Sequence, residues 1–374
     1  MSGAPLRVAV LGAGTVGREV VCALLERPEA LRPSDGVALV LTGIGVRDVE
    51  RAVERGLPAE LLTDAPAHLV ADDEADVIVE LMGGDEPAHT LISAALSMGK
   101  AVVTANKHVL AHHGAELEAT ARRHGATLRF EAAVGGGIPV LGPLAADLAA
   151  NRIERVRGIV NGTTNYILSA MTDEDAPQDY ATALAEAQRL GYAEADPSGD
   201  VEGHDAVNKL VILARLAFDR WLDPGTIATR PGSVGGPAGP GITTVSVADQ
   251  RDAHAQGRII RLLASASIDP DGSLSASVLP TALPLDSPLG RTSGVRNRIE
   301  VDGSPVGRVA FDGPGAGGAA TSSAVLGDLM AIARGAGSTW GPRPPASGPS
   351  GEPVAPRSGA FLETAGGVRY PIDD

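Results

Sequence analysis

Two lysines and a run of carboxylates are the residues of this 374-residue chain best suited to moving a proton. Asp205 and Lys209 stand four apart in a helical pattern that carries Val207, Leu210, Val211, Ala214 and Leu216 on its apolar stripe. That spacing brings side chains together on one helix face. Two readings stand: an exposed ion pair contributing roughly a few tenths of a kcal/mol, or a lysine held by carboxylates beside a substrate. In the second, Lys209 acts as a general acid/base once its pKa falls. The stretch before it, from Tyr192 through Glu194, Asp196, Asp200 and Glu202 to Asp205, is unusually acidic. Lys107 follows the short apolar run Ala101–Thr104, and ligands of open α/β sheets sit beyond the carboxyl ends of strands. It faces such a ligand or caps the turn as a surface lysine.

A third chemistry is written near the N-terminus. The apolar run Leu6–Leu11 is followed at once by Gly12-Ala-Gly14-Thr15-Val16-Gly17, and then by a helical stripe of Val16, Val20 and Leu24. Strand, G-x-G-x-x-G and helix in that order form the context of a dinucleotide-binding turn, which that placement favours over a plain glycine-rich strand-to-helix turn. Gly12 permits the tight turn, Gly14 lets the backbone approach a pyrophosphate, and Gly17 lets helix and strand pack closely. The N–H groups at the helix start, at Thr15, Val16 and Gly17, face the phosphates. Arg47 stands at the end of the next strand, Val37–Val46, where an arginine accommodates the 2′-phosphate of NADP and an acidic residue holds the ribose of NAD. Asp48 follows it, so a solvated Arg–Asp pair is the competing reading.

The elements that must position these residues alternate. Val77–Met82 reads as a buried strand, Pro87–Met98 as a helix, Ala101–Thr104 and Leu128–Ala133 as strands. Val134-Gly-Gly136-Gly-Ile138-Pro either turns carbonyls inward or serves as a hinge. Pro139–Ala150 reads as a helix, Arg152–Val160 as a half-buried strand, Asn161–Met171 as a turn entering a helix, and Tyr180–Leu190 as a helix stopped by Gly191. His108 and His112 have an i, i+4 spacing that suits zinc, but no third ligand follows at a known distance, and a polar helix after Lys107 is the simpler reading.

Composition narrows the function further. With 31 Lys+Arg against 46 Asp+Glu the net charge is −15, and no basic stripe offers a footprint for nucleic acid or for acidic lipid. The single cysteine, Cys22, excludes an internal disulfide framework and a cysteine-built zinc site. It lies on the apolar first helix, which also argues against thiol catalysis. No run of about 18 apolar residues offers a membrane span. A soluble cytoplasmic protein, with cores built of Ala, Val and Leu, is the expectation.

The ordered motifs carry the reading to a family. Glu131-Ala-Ala-Val-Gly-Gly-Gly-Ile-Pro139, Asn161-Gly-Thr-Thr-Asn-Tyr-Ile-Leu168, Leu190-Gly-Tyr-Ala-Glu-Ala-Asp-Pro197, Asp200-Val-Glu-Gly-His-Asp205 with Lys209-Leu, Gly313-Pro-Gly-Ala-Gly317 and Thr321-Ser-Ser-Ala-Val-Leu-Gly-Asp328 resemble homoserine dehydrogenase. The resemblance spans about residues 7 to 335. It implies an α/β Rossmann-type dinucleotide-binding domain over 1–135 and an α+β substrate and dimerisation domain over 136–335, of which 310–335 returns towards the cofactor domain. It further implies NAD(P)-dependent interconversion of L-aspartate 4-semialdehyde and L-homoserine, in threonine and methionine biosynthesis, by a homodimer. Lys209 would be the proton donor and Lys107 the cation beside nicotinamide and substrate. Glu194 and Asp205 would bind the substrate, with Asp200 and Tyr192 close by. Gly191 and Gly317 would approach the cofactor through their backbones. Glu131, Val134, Gly136 and Ile138 would hold a monovalent cation of the sodium type, the first through its carboxylate.

Two stretches depart from the family pattern. Between Trp221 and Ile242 lies a Gly/Pro-rich insert, expected to be a surface loop. Residues 336–374 read as a Pro/Gly-rich disordered tail. Its closing Gly367-Val-Arg-Tyr370-Pro-Ile resembles the first strand of the ACT regulatory module found in many members. Fewer than about 30 residues remain for that module, below what folds unaided, so it and threonine feedback through it are expected to be missing. Two other readings compete with the favoured one: an oxidoreductase of another small amino-acid alcohol or aldehyde, and a catalytically silent nucleotide-binding sensor.

Overall fold

The computed structural model describes residues 4–34, 36–173, 175–230, 240–269, 271–346 and 359–374. The chain divides into two compact units, Met1–Leu148 with Ala316–Ser347, and Ala149–Gly315 with Gly348–Asp374. Residues 231–239 of the Gly/Pro-rich insert and 347–358 of the tail lie outside the described residues.

The first unit begins with β1 (Leu6–Leu11), α1 (Thr15–Glu26), β2 (Leu39–Gly45), α2 (Val49–Glu54), β3 (Leu62–Thr63) and α3 (Pro66–Ala71). It continues with β4 (Val77–Glu80), α4 (Ala88–Ser97), β5 (Ala101–Thr104), α5 (Lys107–His124), β6 (Leu128–Arg129) and α6 (Leu141–Ala145). The strands form one parallel sheet in the order β3-β2-β1-β4-β5-β6. This is the Rossmann order, and its direction reverses between β1 and β4, the switch point at which dinucleotides bind. Val8, Val10, Val77, Val79 and Val103 from the strands pack with Val20, Val21 and Leu24 of α1. Aliphatic residues fill the centre of this core, as the scarcity of aromatics requires.

The second unit contains β7 (Arg152–Ile159), α7 (Gly162–Ala170), α8 (Tyr180–Arg189), α9 (Ser198–Val201), α10 (His204–Phe218) and α11 (Val247–Ala255). It is completed by β8 (Arg258–Ile268), β9 (Leu274–Pro284), β10 (Arg296–Ser304) and β11 (Gly307–Pro314). An antiparallel sheet runs β11-β10-β7-β8-β9, and α7 and α10 pack against it. Every residue of α10 from Ala206 to Leu216 is buried, so its polar side chains must find partners inside the unit.

The chain then returns to the first unit as α12 (Gly318–Ala333), where Val325 and Leu329 join the core beneath α1. It ends in the second unit as a hairpin, β12 (Phe361–Glu363) with β13 (Arg369–Pro371). Among the described residues, no helix is long and apolar enough to cross a membrane.

Four expectations are corrected here. The boundary falls after Leu148 rather than after residue 135, because the Glu131 carboxylate accepts from the N–H groups of Val140, Leu141 and Gly142 and so binds that segment to the first unit. The helix expected over Pro139–Ala150 is reduced to Leu141–Ala145, and the strand expected over Leu128–Ala133 ends at Arg129. Asp328 of α12 accepts from the Glu131 N–H at 2.8 Å and draws the backbone out of the sheet into a short 3₁₀ turn. The tail is not disordered at either described end. Thr339 bonds Leu128 and Phe130 within the first unit, while Asp373 is clasped by Arg155 and Arg157, both at 2.6 Å, within the second.

Candidate active site

In the first unit the G-x-G-x-x-G turn stands at the carboxyl end of β1. Gly12 has φ +98°, and a Cβ there would meet the Leu81 carbonyl oxygen at 2.7 Å. A Cβ on Gly17 would run into the carbonyl oxygen of Gly12, so the close packing assigned to the third glycine is steric. Gly14 differs: nothing lies within 4 Å of its would-be Cβ, and it opens α1 without a side-chain cap. The N–H groups of Thr15, Val16 and Gly17 are therefore among the orphan donors of a helix start. Gly14 and Thr15 line a cavity of about 320 Å³ together with Arg18 and Arg55, two cations that motif reading did not single out. Their positions, one turn into α1 and just past α2, carry no motif of their own. Gly317, at φ +111°, begins α12 beside the same turn, since a Cβ on Gly318 would touch Thr15 at 3.0 Å.

Arg47 is exposed just beyond β2. Asp48 is engaged elsewhere: its carboxylate caps α2 by accepting from the Arg51 N–H at 2.9 Å. Lys107 is the first residue of α5, and the cap of that helix is Asn106, which accepts from Val109 at 3.1 Å. Asn106 Nδ2 donates to Gly84 O at 2.8 Å, and its N–H donates to Thr104 Oγ1 at 2.9 Å. Thr104 in turn donates to the fully buried Glu80 at 2.6 Å, and Glu80 accepts from the N–H groups of Met82 and Gly83. This network ties the loops after β4 and β5 together and thereby fixes where Lys107 starts its helix. Glu80 reads as one residue of a buried strand; two of its partners are local amides, and the third, Thr104, is 24 residues away.

The Glu131 carboxylate is spent on α6, accepting three N–H groups at 2.6–2.8 Å. Burial nevertheless pushes its carboxyl above the usual range, against those amides and reinforced by the charge of Asp328. Among the described residues, no N–H donates to the carbonyls of the buried Val134, Gly136 and Ile138. A set of uncommitted buried carbonyls suits a hard monovalent cation better than a transition metal, and the carboxylate expected among the donors is already committed to amides.

In the second unit, Lys209 is buried and Asp205 partly so, with side chains 9% and 10% exposed. The pair is thus not the surface ion pair that its spacing also allowed. Lys209 Nζ donates to Asp205 Oδ2 and to Val160 O, both at 2.7 Å. Asn161 caps α7 through its side-chain oxygen, while its Nδ2 donates to Asp200 Oδ1 at 2.7 Å and Asp205 Oδ2 at 2.8 Å. Burial pushes the Asp200 carboxyl up, and the neighbouring Asp205 charge pushes the same way. The run Asn161-Gly-Thr-Thr-Asn165 gives Asn161 no role by itself, and only the fold brings it between the two carboxylates. Tyr192 packs edge-on to Tyr166 with ring centres 5.1 Å apart, and its carbonyl accepts from Thr163 at 2.6 Å. Gly191, at φ +76°, is open around its would-be Cβ. Glu194 is exposed, and among the described residues only its backbone is held, by Gln188. The acidic run is therefore divided between a partly buried group at Asp200 and Asp205 and a solvent-facing part.

The family model for the homoserine dehydrogenase NAD-binding domain matches residues 12–131, and that for homoserine dehydrogenase matches 139–330. Homoserine dehydrogenase of Mycobacterium tuberculosis is 47% identical over 365 residues, covering 96% of this chain and 79% of the relative. A crystal structure of a homoserine dehydrogenase from Thiobacillus denitrificans superimposes with a TM-score of 0.84 at 37% identity, covering 94% of this chain and 80% of that one. A hyperthermophilic archaeal homoserine dehydrogenase in complex with NADPH matches with a TM-score of 0.71 at 28% identity, over 88% and 97% of the two chains. With its phosphate turn, its Rossmann sheet and its buried lysine–carboxylate group, the chain belongs to the homoserine dehydrogenase family and is an oxidoreductase of that kind.

Proposed function

We propose that this enzyme interconverts L-aspartate 4-semialdehyde and L-homoserine with Lys209 as general acid/base, using NADPH in preference to NADH. The observation that carries the reading is the buried Lys209 ammonium, donating to Asp205 and to Val160 O. A protonated lysine so held delivers its proton to the carbonyl oxygen as the alcohol forms, and receives it back when the alcohol is oxidised. Bound NADPH supplies the hydride that reaches the carbonyl carbon. The positive charge of Lys107 stabilises the developing alkoxide. Asp205 and Asp200 offer negative charge to the substrate ammonium, with Glu194 and Tyr192 completing its surroundings.

The cofactor's phosphates are assigned to the amides of Thr15, Val16 and Gly17, to the backbones of Gly12 and Gly14, and to Arg18 and Arg55; Gly191 and Gly317 are assigned to the cofactor through their backbones. Arg47 is assigned to the 2′-phosphate of NADP, supported by its place after β2 and by the engagement of Asp48 in capping. A sodium-type cation fits the carbonyls around Val134, Gly136 and Ile138, with Glu131 contributing its backbone. The working form is a cytoplasmic homodimer serving threonine and methionine biosynthesis. A spectrophotometric screen tests the reading: homoserine is expected to outperform its analogues one carbon shorter and longer, with NADP ahead of NAD. Equal or better turnover of a neighbouring analogue would overturn the substrate assignment.

A further inference from the structure

Four of the eight histidines gather where α4 packs against α5, and none of them is among the residues assigned above to substrate or cofactor. His89 lies in the first turn of α4, and His113 and Glu116 share a face of α5 at i, i+3 spacing. One ring nitrogen from each histidine and one carboxylate oxygen of Glu116 lie within 4.8 Å of one another. The rings of His89 and His113 are stacked, with centres 3.9 Å apart. Each imidazole also has a carboxylate at a ring nitrogen: Asp85 at 2.9 Å from Nε2 of His113, and Glu86 at 3.4 Å from Nδ1 of His89.

The remaining nitrogen of His89 is the telling one. Its Nε2 is buried without a hydrogen-bond partner among the described residues and faces Glu116 Oε2 at 3.7 Å, too far for a hydrogen bond. A buried unsatisfied ring nitrogen costs free energy that a ligand would recover. Three carboxylates surround these imidazoles, so the cluster is negative when the histidines are neutral. Imidazole held on its far side by a carboxylate is the usual support of a metal-ligating histidine.

We propose that His89, His113 and Glu116 form a binding site for a borderline divalent cation of the zinc class, with Asp85 and Glu86 orienting the two imidazoles. Bonds of about 2.0–2.1 Å to a tetrahedral ion place donors roughly 3.3 Å apart. Rotation of the exposed Glu116 side chain towards the two rings closes the present spacing. The ion would clamp α4 to α5 and leave a coordination position to solvent. The spacing of His108 and His112, which alone suggested zinc, has no part in the site. The inference is independent of the reaction assigned above.

The test is calorimetric titration of the tag-free, chelator-treated full chain with zinc chloride, alongside thermal melts with and without the metal. One equivalent per chain should bind and raise Tm, since an ion that binds only the native state stabilises it. Glu116→Gln, at an exposed position where folding is not in question, should weaken binding by more than about tenfold, because loss even of an outer-shell partner costs that much. The double variant His89→Ala/His113→Ala should abolish it, and His108→Ala/His112→Ala should leave it intact. No binding to the unaltered chain, unchanged binding in Glu116→Gln, or loss only in the His108/His112 variant would overturn the proposal.

Discussion

Asn161 Nδ2 donates to Asp205 Oδ2 at 2.8 Å, and that same oxygen accepts from Lys209 at 2.7 Å. The asparagine thus sets the carboxylate that holds the lysine, while its other contact, to Asp200, keeps two neighbouring acids in register. A helix cap has become part of the lysine–carboxylate group.

Replacing Asn161 with Ala separates these duties. Loss of the cap should cost about 1 kcal/mol of stability. Loss of both Nδ2 contacts should also lower kcat by more than about tenfold with the KM for the dinucleotide unchanged, a fraction of what general acid/base catalysis contributes. A purely structural asparagine would lower Tm and leave kcat alone.

The turn glycines make opposite predictions. Gly17→Ala meets the Gly12 carbonyl and should destabilise the protein by about 1–3 kcal/mol, as overpacking does. Gly14→Ala has φ −72° and open space, so Tm should hold. The KM for the dinucleotide should rise by about tenfold, because the backbone could no longer approach the pyrophosphate. Melting curves and steady-state kinetics of the two variants check both statements.

Arg47→Ala should raise the KM for NADPH by about tenfold or more, the worth of one hydrogen bond between charged groups, and leave that for NADH nearly unchanged. Parallel losses with both cofactors would move the 2′-phosphate to Arg18 or Arg55.

Glu131→Gln examines the loop below the sheet. An amide offers one acceptor where three N–H groups converge, so a buried donor is left facing another, at a cost of about 1–3 kcal/mol. The pH dependence has a definite sign. Because burial raises the folded-state pKa of Glu131, its contribution is fully present below the ordinary value of 4.5 and is lost as pH rises through the raised value. The advantage of the native protein over the variant should therefore shrink with rising pH in urea melts. Any stimulation by sodium should survive in the variant, since carbonyls are assigned to the cation.

The same segment marks the limit of what the sequence discloses. β1 and β5 match their expected bounds at Leu6–Leu11 and Ala101–Thr104, because a short buried run closed by glycine or a cap leaves little choice. Local pattern could not foresee Asp328 pulling Glu131 out of the sheet, nor Asp373 seated between Arg155 and Arg157 at the end of a Gly/Pro-rich tail. Each is a contact across about 200 residues. Within the site, i, i+4 spacing placed Asp205 beside Lys209, and burial of α10 decided between an exposed and an enclosed pair. It gave no sign that Glu194 would face solvent, or that Arg18 and Arg55 would flank the phosphate turn.

The central claim is that Lys209 transfers the proton, and turnover of Lys209→Met, measured beside NADPH affinity, tests it most directly. The account predicts a fall in kcat of at least about 100-fold, with the NADPH Kd unchanged because the phosphate turn and its arginines are untouched. A variant that keeps kcat within a few-fold of the native enzyme would contradict it.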